Sequence, residues 1–170
     1  MVQNLKIRPE QPDDIEAISR ITELAFRSNP YSQQTEQFII DQLRRDGALS
    51  VSLVAEVDGQ VVGHIAFSPV EISDDSMNWY TLGPIAVTPE LQGQGIGQAL
   101  VSAGLDVLRT LAAEGCVLAG EPGFYGRFGF RSDPGITLDG VPQENFLALT
   151  LGKRSATGKV TLHAAFGAHG

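Results

Sequence analysis

Apolar and polar residues along this chain alternate in two rhythms, and the switches between them mark its elements. Leu5-Lys6-Ile7-Arg8 has the two-residue beat of a short strand, stopped by Pro9 and Pro12. Pro12-Asp13-Asp14 then opens a helix, because proline suits the first helical position and acids suit the positive end of the dipole. Ile15, Ile18, Ala25 and Phe26 follow at helical spacing until Asn29-Pro30 breaks the run. A second helix is predicted from about Gln33 to Arg45, with Phe38, Ile39 and Leu43 inward and Asp46-Gly47 closing it. The rhythm then returns to two. Val51–Val57 and Gln60–Phe67 flank Asp58-Gly59, the strongest short hairpin signal in the chain. Val70-Glu71-Ile72 is expected to continue the sheet beyond the Ser68-Pro69 bend, and Asp74-Asp75-Ser76 makes a polar turn. Tyr80–Val87 is the next strand, interrupted at Gly83-Pro84.

Thr88–Leu91 leads into a glycine-rich loop, and a strongly amphipathic helix follows, with Leu100, Gly104, Val107, Leu108 and Leu111 on one face. Cys116–Ala119 reads as a short buried strand, and Glu121–Phe130 as a helical turn closed by Gly129. Phe146–Leu151 and Val160–Leu162 are late strands. Together these elements are read as one α+β domain covering residues 1–170, without internal repeat or linker.

Composition narrows the possibilities. The chain has 170 residues, 42% of them hydrophobic and 19% charged, ordinary values for a globular protein. No apolar run approaches a membrane span, and Met1–Lys6 lacks the apolar core of a signal peptide. A single cysteine, Cys116, excludes an internal disulfide and a Cys-rich zinc site, so no metal is expected and a cytoplasmic location is. Twelve basic against twenty acidic residues give a formal charge of −8 and no basic stripe for nucleic acid.

The densest chemical signal is Gln92-Gly93-Gln94-Gly95-Ile96-Gly97, between a strand and a helix. Glycines allow close backbone approach and positive φ, and the helix behind them offers unpaired N–H groups and the positive end of its dipole. Those features together suit a phosphate or pyrophosphate. The loop is not a P-loop, because Gln98 stands where lysine would follow Gly97. Nor does it keep the dinucleotide spacing, which would require Gly or Ala at Gln98 or Leu100.

Gln92-x-x-Gly95-x-Gly97, preceded by Ile85-Ala86-Val87-x-Pro89-Glu90, resembles the acetyl-CoA signature of the GNAT superfamily of N-acetyltransferases. Phe124-Tyr125-Gly126-Arg127-Phe128-Gly129-Phe130 resembles that family's second landmark, an aromatic-Tyr segment ending in Gly-Phe. The resemblance spans roughly residues 5 to 150 in element order. It implies a mixed, mostly antiparallel sheet of about six or seven strands, helices on both faces, and a central strand pair splayed at a bulge. Gly83-Pro84 fits that bulge. By the same resemblance, the backbone of Ile85, Ala86 and Val87 would pair with the pantetheine arm of acetyl-CoA. Gln92, Gly93, Gln94, Gly95, Ile96, Gly97 and Gln98 would hold its pyrophosphate. The implied reaction is acetyl transfer to a primary amine of a small molecule or peptide, and homodimerisation is a family habit. The rival readings are a non-catalytic acyl-CoA-binding module and a nucleotide-binding regulatory domain.

Acyl transfer needs an oxyanion donor, a proton for the departing thiolate and a base for the amine. The family's usual choices imply the Val87 N–H for the first and Tyr125 for the second. A phenol with pKa near 10 is a plausible acid for a thiolate whose thiol has pKa near 8.5. The alternative for Tyr125 is a ring that only packs against the cofactor. No residue stands out as the base. Thr81 and Leu82 lie where some relatives carry Glu, Ala113 lies where others do, and Glu121 replaces a common Asn. Glu71, His64 or a water remain. His64 alternates away from the Gly63, Ile65 and Phe67 face, and a satisfied structural histidine is the competing reading.

Overall fold

The computed structural model describes residues 2–169. A mixed seven-stranded sheet has the order β1-β2-β3-β5-β6-β9-β7. Its strands are β1 (Leu5–Pro9), β2 (Val51–Val57), β3 (Gln60–Pro69), β5 (Trp79–Val87), β6 (Gly115–Ala119), β9 (Phe146–Thr150) and β7 (Arg131–Ser132). Every neighbouring pair is antiparallel except β5–β6. Two helices, α1 (Ile15–Phe26) and α2 (Glu36–Arg45), cover one face, and α3 (Ile96–Thr110) covers the other. The short α4 (Pro122–Tyr125) follows β6. None of the helices is long and apolar enough to cross a membrane, among the described residues.

The two-residue period of β3 sorts its side chains between these layers. Gly63 lies against Ile96 and Leu100 of α3, and Phe67 against Gly104, so their face packs into the larger core. His64, Ala66 and Ser68 point the other way and are fully buried. The α1/α2 face is filled by Ile18, Ile40 and Val54, with Ile39 and Leu43 in an adjoining cluster. Gly115 has the same kind of reason as Gly104: a Cβ there would run into the Trp79 indole across the β5–β6 pair.

Several expectations are corrected. Val70–Ile72 does not extend the main sheet. Only Glu71–Ile72 forms a strand, β4, and it joins a separate three-stranded sheet with β8 (Ile136–Thr137) and β10 (Gly158–Thr161). The chain folds away after Pro69 because the main-sheet neighbour of β3 is already β5. The second helix begins at Glu36 rather than near Gln33. Ser32 binds the Glu36 carboxylate and Asn29 accepts from the Tyr31 N–H, so the preceding residues form turns instead. Phe38 is only half-buried, and Ile40 takes the inward position. Leu111 lies just beyond α3 and is 47% exposed, while Ile96, Val101 and Leu105 complete the buried stripe.

Candidate active site

Strands β5 and β6 pair only at Trp79–Gly115, Tyr80–Cys116 and Thr81–Val117. Beyond Thr81 they part. On its other edge β5 stays paired with β3, but two steps from Ile65 to Phe67 are matched by three from Leu82 to Ile85, and the extra residue is absorbed at Gly83-Pro84. A proline there donates nothing to a ladder, and a Cβ on Gly83 would meet nothing within 4 Å, so the bulge opens onto free space.

The ladder fixes which backbone groups face the gap. Thr88 donates to the Val62 carbonyl at 2.8 Å, so Val62–Thr88 is a hydrogen-bonded pair. Antiparallel pairs alternate, which makes His64–Ala86 bonded and leaves Gly63–Val87 and Ile65–Ile85 non-bonded. Ala86 therefore spends its N–H and C=O on β3, whereas Ile85 and Val87 turn theirs toward the β6 side. The Val87 carbonyl is held by Gln92 Nε2 at 3.0 Å, which ties the strand end to the loop.

That loop lines a cavity of about 340 Å³ with Gly93, Gly95, Ile96, Gly97, Gln98 and Gln92, opposite Phe124 and Arg127. Gly93 and Gly95 sit at φ 79° and 90°, left-handed values that favour glycine. Gly95 is the N-cap of α3 and contributes no side-chain cap, so the helix's first N–H groups meet the cavity without a partner from it. Gly97 is already helical, and a Cβ on it would stand 3.9 Å from Phe124 and 4.0 Å from Val87. All the loop residues singled out from the sequence line this cavity except Gln94.

Tyr125 is at the end of α4, whose first turn is capped by the Glu121 carboxylate accepting from the Gly123 N–H. The ring packs edge-on to Phe124 at 4.9 Å and to Phe130 at 6.1 Å. It lies over Gly120, where a Cβ would come within 2.6 Å of its Cε2, so that glycine makes room for the ring. Burial, with a smaller contribution from Cys116, pushes the phenol up to about 12. It keeps its proton at neutral pH. Cys116 is fully buried and burial pushes its thiol well above the ordinary range, which disposes of it as a nucleophile.

The two side chains considered as bases are placed apart from this cavity. Glu71 is exposed on β4 and lines a separate groove of about 710 Å³ with Asp75, Asn78 and Lys159. His64 is fully buried under α1 and α2. Its Nε2 is 2.7 Å from Ser52 Oγ, which also binds Glu10 Oε1. Burial works against the Glu10 charge, but hydrogen bonds from Arg44 and Ser52 outweigh it and hold the carboxyl below its ordinary pKa. Ionised Glu10 only accepts, so Ser52 gives it the hydroxyl proton and must accept from His64 Nε2–H. His64 is then the Nε2–H tautomer, with Nδ1 a buried lone pair lacking a partner among the described residues. Burial drives its pKa down to about 4, so it is neutral at physiological pH.

A mixed sheet split beside a glycine-lined helix start leaves an open strand edge next to backbone N–H groups suited to a phosphate. Residues 16–130 match the model of the acetyltransferase (GNAT) family, and the chain belongs to that family. It is 38% identical over 126 residues to the uncharacterised N-acetyltransferase YhbS of Escherichia coli, covering 74% of this chain and 72% of YhbS. Two solved structures superpose with a TM-score of 0.85. One is a GNAT family acetyltransferase from Brucella melitensis in complex with acetyl-CoA, 48% identical and covering 95% of this chain and 97% of that one. The other is Escherichia coli YhbS in complex with CoA, 33% identical and covering 98% of this chain and 94% of that one.

Proposed function

We propose that the protein transfers the acetyl group of acetyl-CoA to a primary amine of a small molecule or peptide. The observation that carries this reading is the β5–β6 gap, with the Ile85 and Val87 backbone groups facing it and the glycine cavity at its mouth. The acetyl-CoA and CoA complexes of the two similar proteins support it. The pantetheine amides pair with Ile85 and Val87, while Ala86 contributes only its small side chain. The pyrophosphate takes the free N–H groups at the start of α3.

The amine nitrogen attacks the thioester carbon, the carbonyl oxygen gains negative charge that a free backbone N–H of β5 can stabilise, and the C–S bond breaks as the amide forms. Tyr125 gives its proton to the departing sulfur and regains one from the ammonium through solvent. Burial raises the phenol, but the same desolvation penalises a thiolate released in the gap, so transfer between them remains feasible.

The test is acetyl-CoA-dependent thiol release with a panel of amines. Tyr125→Phe keeps the ring packing and removes the proton, so kcat should fall about 10²–10⁴-fold with little change in acetyl-CoA affinity. A Phe variant within threefold of wild type, in a regime where chemistry limits the rate, would remove Tyr125 from the mechanism. Acetyl-CoA binding without amine-dependent thiol release across the panel would favour a non-catalytic acyl-CoA module.

A further inference from the structure

We propose that Arg127 grips a phosphate group at the nucleotide end of coenzyme A, from the wall of the cavity opposite the glycine loop. This rests on the reading of the cavity as the acetyl-CoA site. Arg127 lies outside the glycine signature, on the 3-10 turn Gly126–Phe128 that follows Tyr125. It is the one charged side chain among the described residues lining the 340 Å³ cavity.

Its position is prepared. The guanidinium carbon stands 5.0 Å from the centre of the Phe124 ring, a cation–π contact that holds the group beside the cavity wall. Nη1 donates to Gln98 Oε1 at 3.3 Å, a long bond to a neutral acceptor on the first turn of α3. Arg8, Arg44 and Arg109, in contrast, hold carboxylates at 3.1 Å or less. Arg127 has no carboxylate partner among the described residues, so its charge and most of its five N–H donors stay available. A phosphate offers a stronger, charge-assisted and bidentate exchange for the Gln98 bond.

Whole-molecule charge gives the residue a task. A chain with a formal charge of −8 repels a polyanion, and backbone N–H groups carry only partial charge to offset this. A full positive charge across the cavity supplies what the loop lacks. The chemistry recognised is a phosphate, either the pyrophosphate shared with the glycine loop or the 3′-phosphate of the ribose.

Calorimetric titration of wild type, Arg127→Gln and Arg127→Lys with acetyl-CoA and with dephospho-CoA, at two salt concentrations, tests this. Arg127→Gln should bind acetyl-CoA at least tenfold more weakly, with a shallower salt dependence and an unchanged melting temperature. Arg127→Lys should recover part of the loss. A loss confined to acetyl-CoA assigns the 3′-phosphate, and an equal loss with dephospho-CoA assigns the pyrophosphate. Arg127→Gln binding acetyl-CoA within twofold of wild type, with the same salt slope, overturns the proposal. So does a loss that merely tracks lowered stability, which would make Arg127 a tether between Phe124 and α3. Failure of wild type itself to bind acetyl-CoA would instead overturn the reading of the cavity.

Discussion

At the scale of single residues, two buried ionisable groups are set by the same force with different consequences. Tyr125 loses water among Phe124, Phe130 and Gly120 and keeps its proton; His64 loses water under the helices and gives its proton up. His64 couples to stability. Its folded pKa is about 4 against 6.5 for the free side chain. Between those values the unfolded chain binds the extra proton, so the stability tied to neutral His64 is complete above pH 6.5 and is lost as pH falls toward 4. Glu10 and Asp14, held low by Arg44 and Arg8, add their own loss further down. Urea unfolding between pH 7 and 4.5 should show stability dropping with a slope up to about 1.4 kcal/mol per pH unit. His64→Gln, which can keep the donor to Ser52 without titrating, should flatten that window. An unchanged slope in the variant would mean that another group titrates there. None of this relay was legible in the sequence. Arg44, Ser52 and His64 come from three elements and Glu10 from the loop after β1, and nothing local about Ser52 or Glu10 announces that they meet. The alternation of β3 did place His64 opposite Gly63, Ile65 and Phe67, but burial depends on where α1 and α2 land.

At the scale of elements, legibility follows locality. The Asp58-Gly59 hairpin was readable because turn chemistry and flanking alternation sit within seventeen residues; β2 has the expected bounds, whereas β3 runs on through the expected Ser68-Pro69 bend, where it stays paired with Thr81 and Tyr80. The glycine loop and α3 were readable for the same reason. Strands β7 and β8 have two residues each and exist only through distant partners, β9 and β10, so no period could reveal them. The outer sheet pairs Glu71 with Thr161, ninety residues away, so nothing local separates β4 from the main sheet. Within α3, Gly104 reads as an ordinary inward position, yet an added Cβ would run into the Phe67 ring. Gly104→Ala gains about 1 kcal/mol of helix propensity but overpacks the core at a cost of about 1–3 kcal/mol. The net should be a destabilisation of about 1 kcal/mol, read as a lower urea midpoint with unchanged slope. A stabilised variant would show that β3 and α3 shift apart freely.

At the scale of the whole molecule, the fold serves to hold two neighbouring strands apart. Pairing from Trp79 to Thr81 closes one end of the gap, the Gly83-Pro84 bulge bends β5 away, and α3 presents its N-terminus at the open end. Arg127 was within a segment read for Tyr125 alone, and only the cavity shows it facing the glycines. The proposed function puts acetyl-CoA in this gap and its cavity. Gly95→Val is a flawed probe, because Gly95 lies at φ 90° and a branched side chain would strain the loop in any case. Gly97 has ordinary helical geometry with its nearest neighbours 3.9 and 4.0 Å from a Cβ, so a side chain there fills the cavity with little strain on the fold. Calorimetric titration of acetyl-CoA into wild type and Gly97→Val, each with its melting temperature recorded, is the most direct measurement. Wild type should bind, and the variant should keep its melting temperature while losing at least tenfold in affinity, about 1.4 kcal/mol. Equal affinity in a folded Gly97→Val protein would contradict the assignment of the cavity.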